Sequence, residues 1–223
     1  MDKKLFIQAI TKFIFGFLII ALLLFIPAGT LSYWNGWLFI SILFVPMFIV
    51  GIILMIKSPD LLRKRLNSKE KESKQKVLLI FGGVMFICGF VVSGLNYRFE
   101  WIILPKWIVF IAMIIFLLAY VLYAEVLREN MYLSRIIEIQ ENQKVIDKGL
   151  YGIVRHPMYL STILLFLSIP LVLGSLFSFL IFLVYPFIIA KRIKNEEQVL
   201  DQGLKGYLEY KKKVKYRLIP FIW

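Results

Sequence analysis

Five stretches with little or no charge punctuate the chain, at 13–33, 37–56, 77–97, 107–124 and 159–190. The first four have the length of a membrane helix, roughly 20 residues. The polar segments between them differ sharply in charge. Residues 57–76 carry eight Lys and Arg (Lys57, Arg63, Lys64, Arg65, Lys69, Lys71, Lys74, Lys76), residues 128–158 carry five (Arg128, Arg135, Lys144, Lys148, Arg155), and the tail 191–223 carries nine. Residues 34–36 carry none, and 98–106 only Arg98 and Lys106. Positive charge concentrates on the cytoplasmic side of membrane proteins. The pattern therefore places the N-terminus, 57–76, 128–158 and the tail in the cytoplasm. Both flanks of 159–190 then lie on one side. A single helix through that stretch would be about 48 Å long and would deliver the tail to the other side. A hairpin satisfies the charge bias, with Pro170 and Gly174, around Leu171-Val172-Leu173, as the break. The alternative is one long tilted helix kinked at Pro170. The predicted fold is an all-α polytopic membrane protein: four transmembrane helices plus a C-terminal transmembrane helical hairpin, six crossings at most, and a cytoplasmic tail.

The polar segments are short. Residues 57–76 read as a helix starting at Ser58-Pro59-Asp60. Residues 133–148 read as two short extended or helical pieces around Glu141-Asn142-Gln143. The tail from Lys191 to Tyr216 has helical spacing, with Val199, Leu204, Tyr207 and Leu208 among its charges. None of these could bury a core alone, and no internal repeat or low-complexity linker appears. The chain reads as a single membrane domain over 1–223, with N-terminal spans in 1–130 and a C-terminal functional region in 131–223.

Composition agrees. Of 223 residues, 60% are hydrophobic, against roughly 45–50% in a soluble domain. Lys3 and Lys4 precede the first apolar run, as in a signal peptide. That run is long enough to span, so it reads as a retained first helix. The net charge of +13 fits basic loops facing anionic lipid head groups better than nucleic acid. The single cysteine, Cys88, excludes an internal disulfide and a cysteine-based zinc site.

Little acid–base or metal chemistry is available. The chain has one histidine, His156, and two neighbouring glutamates on one helix do not complete a metal ligand set. No Gly-x-Ser-x-Gly is present. No chain of buried acids marks a proton path, and no matched pair of broken helices marks a transporter. Polar residues gather in two blocks. The first is Gly149-Leu150-Tyr151-Gly152-Ile153-Val154-Arg155-His156-Pro157-Met158-Tyr159. The second is Lys191-Arg192-Ile193-Lys194-Asn195-Glu196-Glu197. Taken singly, each residue has a bland reading: Arg155 as an interface anchor, Tyr159 as aromatic belt, Glu196 and Glu197 as a solvated helix face. A hairpin between the blocks would bring them together at the cytoplasmic interface, and such convergence marks a candidate site.

At these residues the chain resembles the isoprenylcysteine carboxyl methyltransferase family and its phospholipid N-methyltransferase relatives. The resemblance rests on Gly149-Leu150-Tyr151, Arg155-His156-Pro157-Met158-Tyr159, the apolar hairpin, Arg192 with Glu196-Glu197 and Leu200, Gly206-Tyr207-Leu208-Glu209-Tyr210, and Val214-Lys215-Tyr216-Arg217-Leu218-Ile219-Pro220. It covers roughly 135–223; residues 1–130 are similar only as generic spans. The resemblance implies S-adenosylmethionine-dependent methyl transfer at the membrane interface, with a cofactor-binding tail, a lipidic or prenylated acceptor entering from the bilayer, and no metal. It puts Tyr151, Arg155, His156, Pro157, Tyr159 and Glu196 at the cofactor, and Arg192 and Glu197 at the transfer site. One departure is Leu160-Ser161-Thr162, where the family often has a small Gly or Ala soon after the Tyr. The Tyr-Arg-Leu-Ile-Pro ending is also shared with membrane sterol reductases that use NADPH. Three alternatives stay open: a phospholipid N-methyltransferase, such a reductase, and a non-catalytic protein that binds lipid through its basic loops.

Overall fold

A computed structural model describes residues 3–67, 73–134, 136–137 and 139–223 of the chain. Lys69, Lys71 and Arg135, part of the basic loops, lie outside the described residues, as does the side chain of Lys74. Every regular element among the described residues is helical. In chain order these are α1 (Lys3–Ala28), α2 (Trp34–Lys57), α3 (Pro59–Leu66), α4 (Ser73–Phe99), α5 (Lys106–Glu129), α6 (Pro157–Val172), α7 (Leu176–Phe182), α8 (Tyr185–Gly203) and α9 (Tyr207–Lys213), with a 3-10 turn at Gly149–Gly152 before α6.

Among the described residues, five helices are long and apolar enough to cross a membrane: α1, α2, α4, α5 and the run Leu176–Gly203 that joins α7 to α8. Large apolar side chains on their outer faces, such as Phe15, Ile26, Ile56, Ile80, Leu118 and Phe187, are exposed. In water that surface would be strongly unfavourable; in a bilayer it is the lipid contact. The chain is an integral multi-pass membrane protein. Inside the bundle, Leu24, Phe39, Phe116, Val172 and Phe182 are essentially inaccessible and form one continuous core.

The stretch 159–190 folds back on itself, so the single kinked helix is not what forms. Of the two residues expected to make the break, Gly174 does and Pro170 does not. Pro170 stays inside the last turn of α6; prolines are tolerated in membrane helices where surrounding groups satisfy the freed backbone. The turn is made at Leu173-Gly174-Ser175. Gly174 takes φ +74°, a conformation costly for residues with a Cβ. Its N–H donates to Leu171 O and that of Ser175 to Pro170 O, while Ser175 Oγ caps α7 by accepting from Ser178 N. Three side chains grip this tip. Tyr33 Oη donates to Leu173 O at 2.6 Å, Asn35 Nδ2 to Val172 O at 2.9 Å and Asn96 Nδ2 to Gly174 O at 3.3 Å.

Helices α1 and α4 approach closely. A Cβ on Gly94 would lie 2.5 Å from Leu24 O and 3.0 Å from Ala28 N. Small residues at such crossings let membrane helices pack backbone to backbone.

At the end of the bundle away from the hairpin tip, the short elements lie across the helix ends. Helix α3 starts at Pro59, as expected for Ser58-Pro59-Asp60, although Ser58 makes no side-chain cap bond. Arg65 bonds Ser134 O at 3.2 Å and also Tyr123 Oη, tying α3 to α5 and the following loop. The described residues of 133–148 form no helix. They are irregular, around a turn closed by Gln143 N donating to Gln140 O. Without apolar periodicity they follow the surface they cover. The tail is helical as predicted, in two pieces, with Leu204 and Tyr207 buried and Leu208 exposed.

Candidate functional site

The hairpin's two outer ends meet. His156 is the residue before α6, and Pro157 is its first residue, where a proline's missing N–H costs nothing. Arg192, Glu196 and Glu197 lie on α8. The tail passes alongside: Arg155 N donates to Tyr216 O and His156 N to Arg217 O, both at 2.9 Å. The Arg155 guanidinium donates from Nη1 to Val214 O and Lys215 O, each at 2.7 Å.

Glu197 is the centre of this packing. Its side chain is 4% exposed. Oε1 accepts from Arg155 Nε at 2.8 Å and lies 3.3 Å from His156 Nε2, and Oε2 accepts from Arg217 Nε at 2.9 Å. A carboxylate has only acceptors to offer, so this geometry has His156 carrying its proton on Nε2. A buried carboxylate so fully partnered is held in place, not available to move a proton.

Beside it runs a second ladder. Tyr159 Oη donates to Glu196 Oε2 at 2.5 Å and accepts from Arg192 Nε at 3.0 Å. Arg192 Nη1 then reaches Gln75 Oε1 on α4 at 3.2 Å. On the other flank, Asn130 Nδ2 donates to Tyr151 Oη at 3.0 Å, and Tyr210 Oη donates to Tyr151 O at 2.7 Å. Glu129 accepts from Leu150 N at 2.9 Å and fixes the 3-10 turn.

Between these groups lies a cleft that is partly open to solvent. Its walls are Tyr151, Arg155, His156 and Tyr159 from the first block, Arg192, Glu196 and Leu200 from α8, and Tyr207 and Tyr210 from α9. Side chains from 130, 132–134, 136–137 and 143–146 form its roof. Burial pushes the phenols of Tyr151, Tyr207 and Tyr210 above their ordinary pKa, Tyr207 further through the charges of Glu197 and Glu196. All three are neutral donors near pH 7.

Six of the eight residues singled out from the sequence line the cleft: Tyr151, Arg155, His156, Tyr159, Arg192 and Glu196. Pro157 and Glu197 do not; they stand behind its wall. Neighbouring positions on a helix point about 100° apart. Glu196 therefore faces the cleft while Glu197 faces the tail. Sequence reasoning assigns no role at the site to Tyr207, Tyr210, Arg217, Gln75 or the roof loop. The tyrosines have a signal in their three-residue spacing within Gly206-Tyr207-Leu208-Glu209-Tyr210. Gln75 has none, lying inside a lysine-rich run.

The cleft suits the expected cofactor on one direct observation. Tyr207 is 4% exposed and its hydroxyl has no hydrogen-bond partner, an unusual state for a buried polar group. It borders a cleft with a carboxylate and several aromatic faces, which together match a ligand bearing a cation and polar edges.

Residues 107–202 match the model of the isoprenylcysteine carboxyl methyltransferase family. The match starts further towards the N-terminus than the motifs alone suggest and stops short of the last tail motifs, but it contains both polar blocks. A stretch of 84 residues is 31% identical to the Delta(14)-sterol reductase of Mus musculus, covering 36% of this chain and 20% of that protein. The matched stretch thus spans about a fifth of that relative's length.

Proposed function

We propose that this protein is an S-adenosylmethionine-dependent membrane methyltransferase, acting on the carboxylate of an isoprenylcysteine-like or other lipidic acceptor. One observation carries the reading: residues of the Arg155–Tyr159 block and of the Arg192–Glu196 block line one cleft, joined by the bonds of Tyr159 to Arg192 and Glu196, and both lie within the stretch that matches the methyltransferase family. Tyr207, Tyr159 and Glu196 would hold the cofactor, with Arg155 and His156 fixing the wall. The bound cofactor supplies a transferable methyl group on a sulfonium.

The chain's own contribution is alignment and exclusion of water under the roof loop. An acceptor carboxylate is already ionised at neutral pH, so no general base is required. That fits a site whose buried glutamate is saturated by Arg155, His156 and Arg217. Arg192 would hold the acceptor carboxylate by its planar fork. The lipid portion would lie in the bilayer beside the hairpin. The basic segments would face the anionic cytoplasmic leaflet, with both termini inside.

The test is calorimetric titration of the purified full chain with S-adenosylhomocysteine. Wild type is expected to bind, and Tyr207→Phe, which deletes only the unpartnered hydroxyl, to bind up to about tenfold more weakly. No binding by wild type would sink the reading. The likeness to a sterol reductase supports a second one, reduction of a lipid double bond by NADPH. It predicts NADPH binding with no affinity for S-adenosylhomocysteine.

A further inference from the structure

Away from the cleft, α1, α2 and α3 enclose an apolar groove. Its walls include Phe6 and Phe13 of α1, Phe48 and Ile52 of α2, and Leu62 and Leu66 of α3. Phe6, Phe48 and Ile52 are exposed. Among the described residues of that wall, Lys12 alone is charged. An ionisable group set among membrane-facing apolar side chains is costly to keep and marks a functional site. The Lys12 ammonium has three donors. One meets Leu66 O, and among the described residues no carboxylate pairs with it. Its charge has no counter-ion there.

Two features set the groove apart from ordinary lipid-facing surface. It has a fixed third wall, because Arg65 ties α3 to Ser134 O at 3.2 Å and to Tyr123 Oη. It also has room. Gly51 is part of the α2 wall, and nothing lies within 4 Å of its would-be Cβ. A polar hollow adjoins. Gln8, one turn before Lys12 and on the same face of α1, lines it with Asp60, Arg63, Lys64 and Asn67. Asp60 pairs with Arg63 at 3.2 Å. Lys64 meets Met131 O and the Tyr132 ring, neither of which carries a charge. The hollow is therefore net positive. A hydrocarbon slot, an ammonium in its wall and a basic hollow beside it complement one kind of molecule, an acyl chain that carries an anionic head group. A fatty acid would satisfy Lys12 and leave the hollow empty; a phosphodiester with a polar head can reach both.

We propose that this groove is a binding site for an anionic phospholipid. One acyl chain lies between α1, α2 and α3, and the phosphate pairs with Lys12 beside the hollow of Gln8 and Lys64. The site does not depend on which reaction the cleft performs.

The experiment uses the purified full-length protein in detergent. The rise in melting temperature is titrated with phosphatidylglycerol or with phosphatidylcholine of the same acyl chains, since a ligand of the folded state raises it. Each variant's melting without added lipid is its own baseline. Phosphatidylglycerol is expected to raise the wild-type value by on the order of 5 °C at saturation, with half the effect at about fivefold less lipid than phosphatidylcholine needs. Lys12→Gln keeps a donor for Leu66 O and removes the charge. It should need about fivefold more phosphatidylglycerol and respond to phosphatidylcholine as wild type does. Gly51→Leu fills open space in the groove and should weaken both lipids about tenfold or more. Lys205→Gln removes the same charge from an exposed tail position and should change neither. Equal response of wild type to the two lipids overturns the proposal, as does Lys12→Gln losing no more than Lys205→Gln, Gly51→Leu responding as wild type, or oleate acting at lower concentration than phosphatidylglycerol. A dimer seen by light scattering that Gly51→Leu splits would give the groove to a second copy of the chain, and that also overturns it.

Discussion

Glu197→Ala is expected to destabilise the protein by about 3–5 kcal/mol and to abolish S-adenosylhomocysteine binding. Truncating one member of a buried ion cluster leaves the others charged and uncompensated. The burial differs between the two arginines. Arg217 is 30% exposed at its side chain and can turn to solvent, whereas Arg155 is 5% exposed and cannot. Most of the cost therefore falls on Arg155. Replacing it as well, in Glu197→Ala/Arg155→Met, should recover part of the loss, the signature of a coupled pair. Thermal unfolding in detergent, followed by circular dichroism, reads both variants. The expected fall in melting temperature is on the order of 10 °C; an unchanged melting temperature would show that the cluster does not hold the site together. The loss of binding follows from the same geometry, since Arg155 and His156 form the wall of the cleft and both are tied to this carboxylate.

Gly94→Ala is expected to cost about 1–3 kcal/mol, although alanine is the better helix former. The added carbon would meet Leu24 O at 2.5 Å and Ala28 N at 3.0 Å. Both are backbone atoms that no rotamer change can move, so α1 and α4 must separate. Gly82→Ala, in the same helix, is the matched control. Nothing lies within 4 Å of its would-be Cβ, and the change should be neutral or slightly stabilising. A Gly94→Ala protein that melts with the control would mean that α1 and α4 do not pack this closely.

The spans can be read from the sequence because a bilayer demands long apolar helices, and the hairpin because basic segments flank an apolar stretch on both sides. Pro170 is a poor guide to the turn, since a proline fits a helix wherever its neighbours supply the packing. Gly174 is the better one, because only its backbone takes the left-handed conformation cheaply. The site is half legible. The two polar blocks stand out by composition, and the hairpin places them face to face. Which of Glu196 and Glu197 meets the cleft depends on where the tail docks, and the tail is held by Arg155 through backbone carbonyls that carry no sequence signal. Gln75 and the roof loop are invisible for a related reason. Gln75 acts through a contact 117 residues away in sequence, and the roof follows an irregular path; neither leaves a period in the chain.

The grip of Tyr33, Asn35 and Asn96 on the hairpin tip has a mechanical consequence. It pins one end of a two-armed lever. Helix α6 has 16 residues and is about 24 Å long, and Tyr159 lies near its free end. The second arm is broken once more between α7 and α8, and the ends furthest from Gly174 are those that carry Tyr159 and Arg192. Those far ends are tied in turn by the bonds of Tyr159 to Arg192 and Glu196 and of Arg155 to Glu197, so the hairpin is clamped at both ends and the walls of the cleft are fixed relative to each other.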